Sequence, residues 1–177
     1  MRTSIFLCLL SCVMLFACSK DSSNNQQSYG SNVNTWTFKE GNTVYSGPLL
    51  LDGAILNTYL QSNNSYTFSM LGAEKTSGFL FNLILSLVDL NFTQKQYKSG
   101  VAGDDYLNAF YYMESTNSVD NIYKSSNLDP GPVMNYTITA YDANKDIVTI
   151  AFSGQAQRAD GSTATITDGK VTAQIER

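Results

Sequence analysis

Apolar and polar residues alternate along most of the second half of the chain, which is the pattern of β-strands with one buried face. The segment Asp142-Ala143-Asn144-Lys145-Asp146 interrupts the alternation with residues that favour turns. Further on, Asp168-Gly169 predicts a two-residue hairpin turn. We therefore expect four strands in antiparallel succession, over residues 136–141, 148–153, 163–167 and 171–176.

The first half of the chain carries the same kind of signal in shorter segments. Trp36 and Phe38 fall on one face of the first segment, and Glu40-Gly41-Asn42 predicts a turn after it. The predicted strands cover residues 34–39, 43–46, 54–60, 66–71, 107–113 and 120–123.

Residues 79–90 fit two patterns. Their large apolar side chains recur at every second position, as on a strand. Asn82, Ser86 and Asp89 also have the spacing of a polar stripe on a helix. We favour the strand, because turn signals bound the segment and strands surround it. The alternating apolar residues are Phe79, Phe81, Leu83, Leu85 and Leu87.

Many short strands without strand–helix alternation predict an all-β fold. We expect an antiparallel β-sandwich or barrel of about 8–10 short strands. It forms a single β-rich domain over residues 34–177, a length at which one hydrophobic core suffices.

The N-terminus has the layout of an export signal. Arg2 is followed by an apolar run over residues 5–16 that is too short to span ~30 Å of hydrocarbon. Residues 1–17 are therefore predicted to be a signal peptide. Residues 18–33 combine Cys18 with a polar segment, which predicts a flexible tether.

The junction Leu15-Phe16-Ala17-Cys18 resembles the lipobox of bacterial lipoproteins. The resemblance implies cleavage before Cys18 and lipid on its thiol, so that the protein is held on a membrane. Ser19 is similar to the residue that sorts lipoproteins to the outer membrane, where the domain would face either the periplasm or the cell surface.

Cysteine usage favours this interpretation over an ordinary secretory signal or a buried N-terminal segment. The three cysteines are Cys8, Cys12 and Cys18, so none lies in the β-rich domain. No disulfide can form there, and a lone thiol in an oxidising compartment is a liability unless it is capped.

Short stretches of the β-rich domain resemble small Bacteroidetes-type lipoproteins, a family known chiefly as a domain of unknown function. The resemblance implies an outer-membrane or surface β-domain and supplies no catalytic residues. It rests on residues 36–45, 138–142, 150–154 and 166–171.

Composition excludes several kinds of chemistry. The chain has no histidine, and its one cysteine beyond the signal is predicted to be acylated. Ser-His-Asp and Cys-His catalysis, and zinc sites built from His or Cys, are therefore excluded. The net charge is −4 without a Lys/Arg cluster, which excludes the basic surface that nucleic-acid binding needs. We expect no cofactor and no metal.

The remaining candidates for chemistry are carboxylates. A glycan hydrolase could use a pair of them, although no spacing selects a pair. Asp142 to Asp146 also begins like a calcium loop, but Ile147 replaces the required glycine, which favours a hairpin turn. Gly103-Asp104-Asp105 is a weaker calcium candidate. The carboxylates considered are Asp52, Glu74, Asp89, Asp104, Asp105, Glu114 and Asp120.

Tyrosines lie among Asn and Ser, a combination that suits carbohydrate, although tyrosine is also an ordinary half-buried strand residue. The tyrosines are Tyr106, Tyr111, Tyr112, Tyr123 and Tyr136. The leading hypothesis is a non-enzymatic lipoprotein that binds a glycan or an envelope protein. The alternatives are a carboxylate-based glycan hydrolase and a structural subunit of an envelope complex.

Overall fold

The computed structural model describes residues 32–50, 54–58, 66–102, 107–114 and 121–176, and for residues 55–58 it describes the backbone. Eleven strands lie in these residues, and no helix does. They are β1 (Thr35–Glu40), β2 (Thr43–Pro48), β3 (Ala54–Thr58), β4 (Tyr66–Ala73), β5 (Leu80–Leu87), β6 (Gln96–Ser99), β7 (Ala109–Met113), β8 (Asn121–Ser126), β9 (Met134–Asp142), β10 (Ile147–Arg158) and β11 (Thr163–Glu176).

The strands form one sheet that curls into a nearly closed barrel. Its order is β2-β1-β11-β3-β4-β5-β7-β8-β10-β9-β6, and β11 also pairs with β10. That extra pairing joins β11 to both β3 and β10, which closes a ring of strands. Only the short β11–β3 contact at Ile175 and Glu176 is parallel.

A hairpin of β1 and β2 completes the wall between β11 and β4. Strand β1 pairs with β11, and Leu49, just after β2, forms a bridge to Gly72 of β4. The segment after β2 and strand β4 approach closely at this point because Gly72 has no side chain. A Cβ there would overlap the Trp36 indole and the Pro48 carbonyl. Trp36 Nε1 donates to the Pro48 carbonyl at 3.2 Å.

Alternate residues of β1, β4, β5, β10 and β11 are buried and form most of the core. Trp36 and Phe38 of β1 are buried, and Trp36 stacks on Phe81 of β5 with ring centroids 4.7 Å apart. Phe38 lies edge-on to Phe110 at 5.5 Å and to Tyr112 at 5.4 Å. Aromatic pairs in these offset and edge-to-face arrangements add stability beyond the burial of their surface.

The all-β prediction is confirmed, and so is the strand at residues 79–90, which contains β5. Phe81, Leu83, Leu85 and Leu87 are all fully buried on one face. Strand β6 was not predicted, because its four residues are too short for a clear alternation. It raises the number of strands above the expected range.

The prediction of a hairpin turn at Asp168-Gly169 is wrong. Residues 163–176 form one continuous strand, so the C-terminal part contains three strands and not four. Asp168 has the left-handed φ of 51° that the sequence suggests, but it forms a β-bulge. Pairing with both β1 and β10 shifts by one residue there, so Ala164 and Ile166 face inward before the bulge and Val171 and Ala173 after it.

Adding one methyl group at Gly72 should disrupt the junction of β2 and β4. We expect Gly72→Ala to lower the free energy of unfolding by about 1–3 kcal/mol, the usual cost of overpacking. Gly131→Ala is the control, since its Cβ would lie 3.9 Å from the nearest atom and its φ is not in the left-handed region. Urea denaturation followed by fluorescence of the single tryptophan, Trp36, measures both. Equal losses in the two variants would contradict the close approach.

Candidate functional site

Three of the tyrosines proposed for carbohydrate binding lie inside the barrel. Tyr112, Tyr123 and Tyr136 are each less than 5% exposed, so they form no surface platform. Tyr111 is only partly buried, and Tyr106 lies outside the described residues. The described tyrosines therefore give the carbohydrate interpretation little support.

The hydroxyl groups of Tyr112 and Tyr123 find carboxylate acceptors. Tyr112 Oη donates to Glu74 Oε2 at 2.8 Å, and Tyr123 Oη donates to Glu40 Oε2 at 2.8 Å. Tyr45 Oη lies 3.2 Å from Tyr123 Oη. We call these residues, with Arg158, the carboxylate–tyrosine network.

Arg158 connects this network to the end of β10. Its guanidinium forms an ion pair with Glu40, and the two side chains are 35% and 25% exposed. Glu40 and Arg158 were not among the predicted site residues, because a contact between residues 118 positions apart leaves no local signal. Glu40 is the last residue of β1 and Arg158 is the last residue of β10, and a charged residue at the end of a strand ordinarily belongs to a solvated turn.

Contacts within the network shift the pKa of Glu40, Tyr112 and Tyr123. The hydrogen bond from Arg158, then that from Tyr123, lowers the pKa of Glu40 below its usual 4.5. Burial, followed by hydrogen bonding to Tyr45 and Glu40, raises the pKa of Tyr123. Burial and the bond to Glu74 raise the pKa of Tyr112 in the same way. Glu40 therefore stays ionised at neutral pH, where a general acid would need its proton.

The other predicted carboxylates that the structure describes, Asp89 and Glu114, form no bond to the network. Asp89 Oδ1 accepts the Asn91 amide at 2.7 Å and the Thr93 amide at 3.2 Å, and the Thr93 hydroxyl lowers its pKa. Glu114 is exposed. Asp52, Asp104, Asp105 and Asp120 lie outside the described residues. Among the described members of the predicted set, Glu74 is the one that belongs to the network.

The segment Asp142 to Asp146 forms the turn between β9 and β10. Asp142 Oδ1 accepts the Asn144 amide at 3.0 Å, and Tyr141 Oη donates to Asp146 Oδ1 at 2.8 Å. These are the local bonds of a hairpin turn, as the sequence favours over a calcium loop. In the described part of the chain, no three His, Cys, Asp or Glu residues are grouped so as to hold a metal.

A groove lies where β6 separates from β5 and from the start of β7. Its volume is about 400 Å³, within the range of small-molecule sites. We call it the β5–β6 groove. Its described lining residues are Ser86, Val88, Gln94, Gln96, Tyr97, Lys98, Val101 and Asn108.

Asn108 places a hydrogen-bond donor at the floor of this groove. The residue is only 3% exposed, and its Oδ1 accepts the Ser86 amide at 3.0 Å. Nδ2 has no bond within the described residues, where every fully buried side-chain nitrogen and oxygen has a partner. Nδ2 is therefore accessible from the groove. Sequence reasoning missed this residue, because a lone Asn before a strand is an ordinary loop residue.

Tyr97 forms part of the groove wall but presents little of its ring, being 5% exposed. Its hydroxyl donates to the Gln94 carbonyl at 3.2 Å. Burial, with a smaller effect of Asp89, raises its pKa to about 12. The bond from its hydroxyl therefore fixes the segment that leads into β6. Among the described lining residues, the accessible groups are amides, the Lys98 ammonium and two valines.

No protein-family model, curated protein or solved structure matches this chain. The resemblance to Bacteroidetes-type lipoproteins therefore stays a prediction. Residues 1–17 and Cys18 lie outside the described residues. Within the residues that the structure describes, no helix has the length and apolar character needed to cross a bilayer.

The ion pair of Glu40 should make stability depend on pH. Because folding lowers the pKa of Glu40 from 4.5, its stabilisation is fully present above that value and is lost as the pH falls through the folded pKa. Glu40→Gln keeps an acceptor for Tyr123 but removes the charge. We expect a lower urea midpoint than wild type at about pH 7 and converging midpoints at about pH 3.

Glu114→Gln is the matched control, since Glu114 is exposed. Its urea midpoint should follow wild type at both pH values. A constant difference between Glu40→Gln and wild type across the acid range would show that the charge of Glu40 does not contribute.

Proposed function

We propose that this chain is a lipid-anchored lipoprotein of the outer membrane that acts outside the cytoplasm as a non-enzymatic binding protein. The anchor is supported by the signal-like residues 1–17, the lipobox-like junction and the absence of cysteine after Cys18. Two or more acyl chains on Cys18 would make the attachment stable, since each buried CH2 contributes about 0.8 kcal/mol.

The observation that carries the binding role is Asn108 beneath the β5–β6 groove. A nearly buried amide with a donor left open is costly unless water or a ligand uses it. The groove also presents the exposed valines Val88 and Val101, which are 47% and 37% exposed. Polar groups at fixed positions between apolar surfaces are typical of binding sites.

The proposed ligand is a component of the cell envelope, either a glycan or a segment of an envelope protein. Catalysis is the weaker candidate. Glu40 and Glu74 are the carboxylates of the carboxylate–tyrosine network, and both already accept bonds from tyrosine hydroxyls. Glu40 is in addition neutralised by Arg158.

The anchor is tested by metabolic labelling with an alkyne analogue of palmitate. We expect wild type to be labelled and to sediment with membranes. Cys12→Ser, a cysteine within the predicted signal, should be labelled to the same extent. Cys18→Ser should lose the label entirely, because Cys18 carries the only thiol of the processed chain. Labelling of Cys18→Ser at the wild-type level would refute the anchor.

The binding role is tested with the full-length lipidated protein in detergent, on a glycan array and as bait for envelope proteins. Asn108→Asp keeps the acceptor for the Ser86 amide but replaces the Nδ2 donor. We expect it to weaken binding about tenfold, the effect of losing one hydrogen bond to a ligand. Asn144→Asp, the same change in the exposed β9–β10 turn, should bind like wild type. Failure of wild type on both probes, or equal binding by Asn108→Asp, would refute a ligand site in the groove.

A further inference from the structure

Strand β6 has one paired edge and one open edge. Among the described residues it pairs only with β9, and it ends the order of the sheet. The Ile138 amide donates to the Lys95 carbonyl at 2.9 Å, so the backbone carbonyl of Lys95 points towards β9. Because the direction of backbone groups alternates along an antiparallel strand, Gln96 and Lys98 point their N–H and C=O groups away from β9, towards the β5–β6 groove.

Side-chain amides occupy the two carbonyls of this open edge. Gln94 Nε2 donates to the Gln96 carbonyl at 2.9 Å, and Asn127 Nδ2 lies 3.5 Å from the Lys98 carbonyl. These nitrogens lie where the amides of a neighbouring strand would be. Gln94 is exposed, so water can take over its hydrogen bonds when its side chain leaves this position, and the net cost is small.

A strand added to β6 would face the opposite wall of the β5–β6 groove with its second edge. That wall provides a hydrogen-bond donor and apolar surface. Asn108 Nδ2 is an accessible donor there, and Val88 lies beyond the last ladder contacts of β5 with β7. Val88 and Val101 provide apolar surface for side chains that alternate along an extended segment.

Charge selects among such segments. Of the described residues that line the groove, Lys98 is the one with a charged side chain, and it forms no ion pair within the described residues. An acidic side chain on the ligand would complement it.

We infer that the β5–β6 groove binds an extended, acidic polypeptide segment of an envelope protein, which adds to the open edge of β6 as a further strand. The inference rests on the proposed function and specifies its ligand. The N–H groups of the segment replace the amide of Gln94 at the Gln96 carbonyl, and its carbonyls accept from the Gln96 and Lys98 amides.

The test uses a phage-displayed library of linear twelve-residue peptides, selected on the full-length lipidated protein in detergent. We expect acidic, extended peptides to be selected. Gln155→Ala removes an exposed side chain of β10 outside the groove, leaves the Gln96 backbone N–H in place and should bind them like wild type. Gln96→Pro removes that N–H, which the β6–β9 ladder does not use, and should weaken binding about tenfold or more. Circular dichroism and Trp36 fluorescence check that Gln96→Pro is folded.

A second measurement on wild type is independent of that variant. Methylation of successive backbone nitrogens of a selected peptide should abolish binding at every second position, because an added strand bonds with alternate residues. Failure to select peptides, equal binding by Gln96→Pro when it is folded, or no two-residue period would overturn the inference. A glycan that binds wild type but not Asn108→Asp would overturn it as well, while leaving the proposed function intact.

Discussion

Aromatic rings that carry hydroxyl groups fill the barrel, and the rest of the structure depends on where those hydroxyls find acceptors. A buried phenol that lacks an acceptor loses about the free energy that burial of its ring provides. Tyr112 and Tyr123 meet this condition with Glu74 and Glu40, and Tyr136 meets it with Ser99. The bonds of Tyr112 and Tyr123, together with those of Tyr45 and Arg158, connect β1, β2, β7, β8 and the end of β10. The bonds of Ser99 connect β6 to β8 and β9. The rings thus set both the thickness of the core and the contacts at its edge.

This packing also determines where recognition takes place. Because the tyrosine rings lie in the interior of the barrel, the polar groups that a ligand can reach lie on its outer surface, at places where neighbouring strands separate. Strand β10 pairs with β9 along one part and with β8 at Gln157 and Arg158. Its two neighbours therefore lie along different parts of β10, and β6, which pairs with β9, forms no ladder with β5 or β7 in the described residues. The β5–β6 groove is the result of this change of partner, and Asn108 and the open edge of β6 face it.

Local pattern was sufficient for most of the fold, since strands such as β5 carry their face in their own residues. Local pattern gave a wrong prediction where the same sequence pattern fits two different backbone structures. The alternation in β11 changes phase at Asp168-Gly169, and a turn or a bulge would produce the same change; only pairing with β1 and β10 on both sides decides for the bulge. The functional residues were harder still. The pairing of Glu40 with Arg158 spans most of the domain, and Asn108 matters only because its amide lies under a groove that three separate segments build.

The most direct measurement of this account is an alkaline titration that follows phenolate absorbance and β-sheet circular dichroism together. Folding raises the pKa of Tyr97, Tyr112, Tyr123 and Tyr136 above the ordinary 10.0. Stability is therefore fully present below pH 10.0 and declines as the pH rises towards the folded values. We expect these tyrosines to ionise only as the sheet signal is lost, in one cooperative step. Complete ionisation of all tyrosines near pH 10.0 with the sheet intact would contradict a barrel whose hydroxyls are held inside.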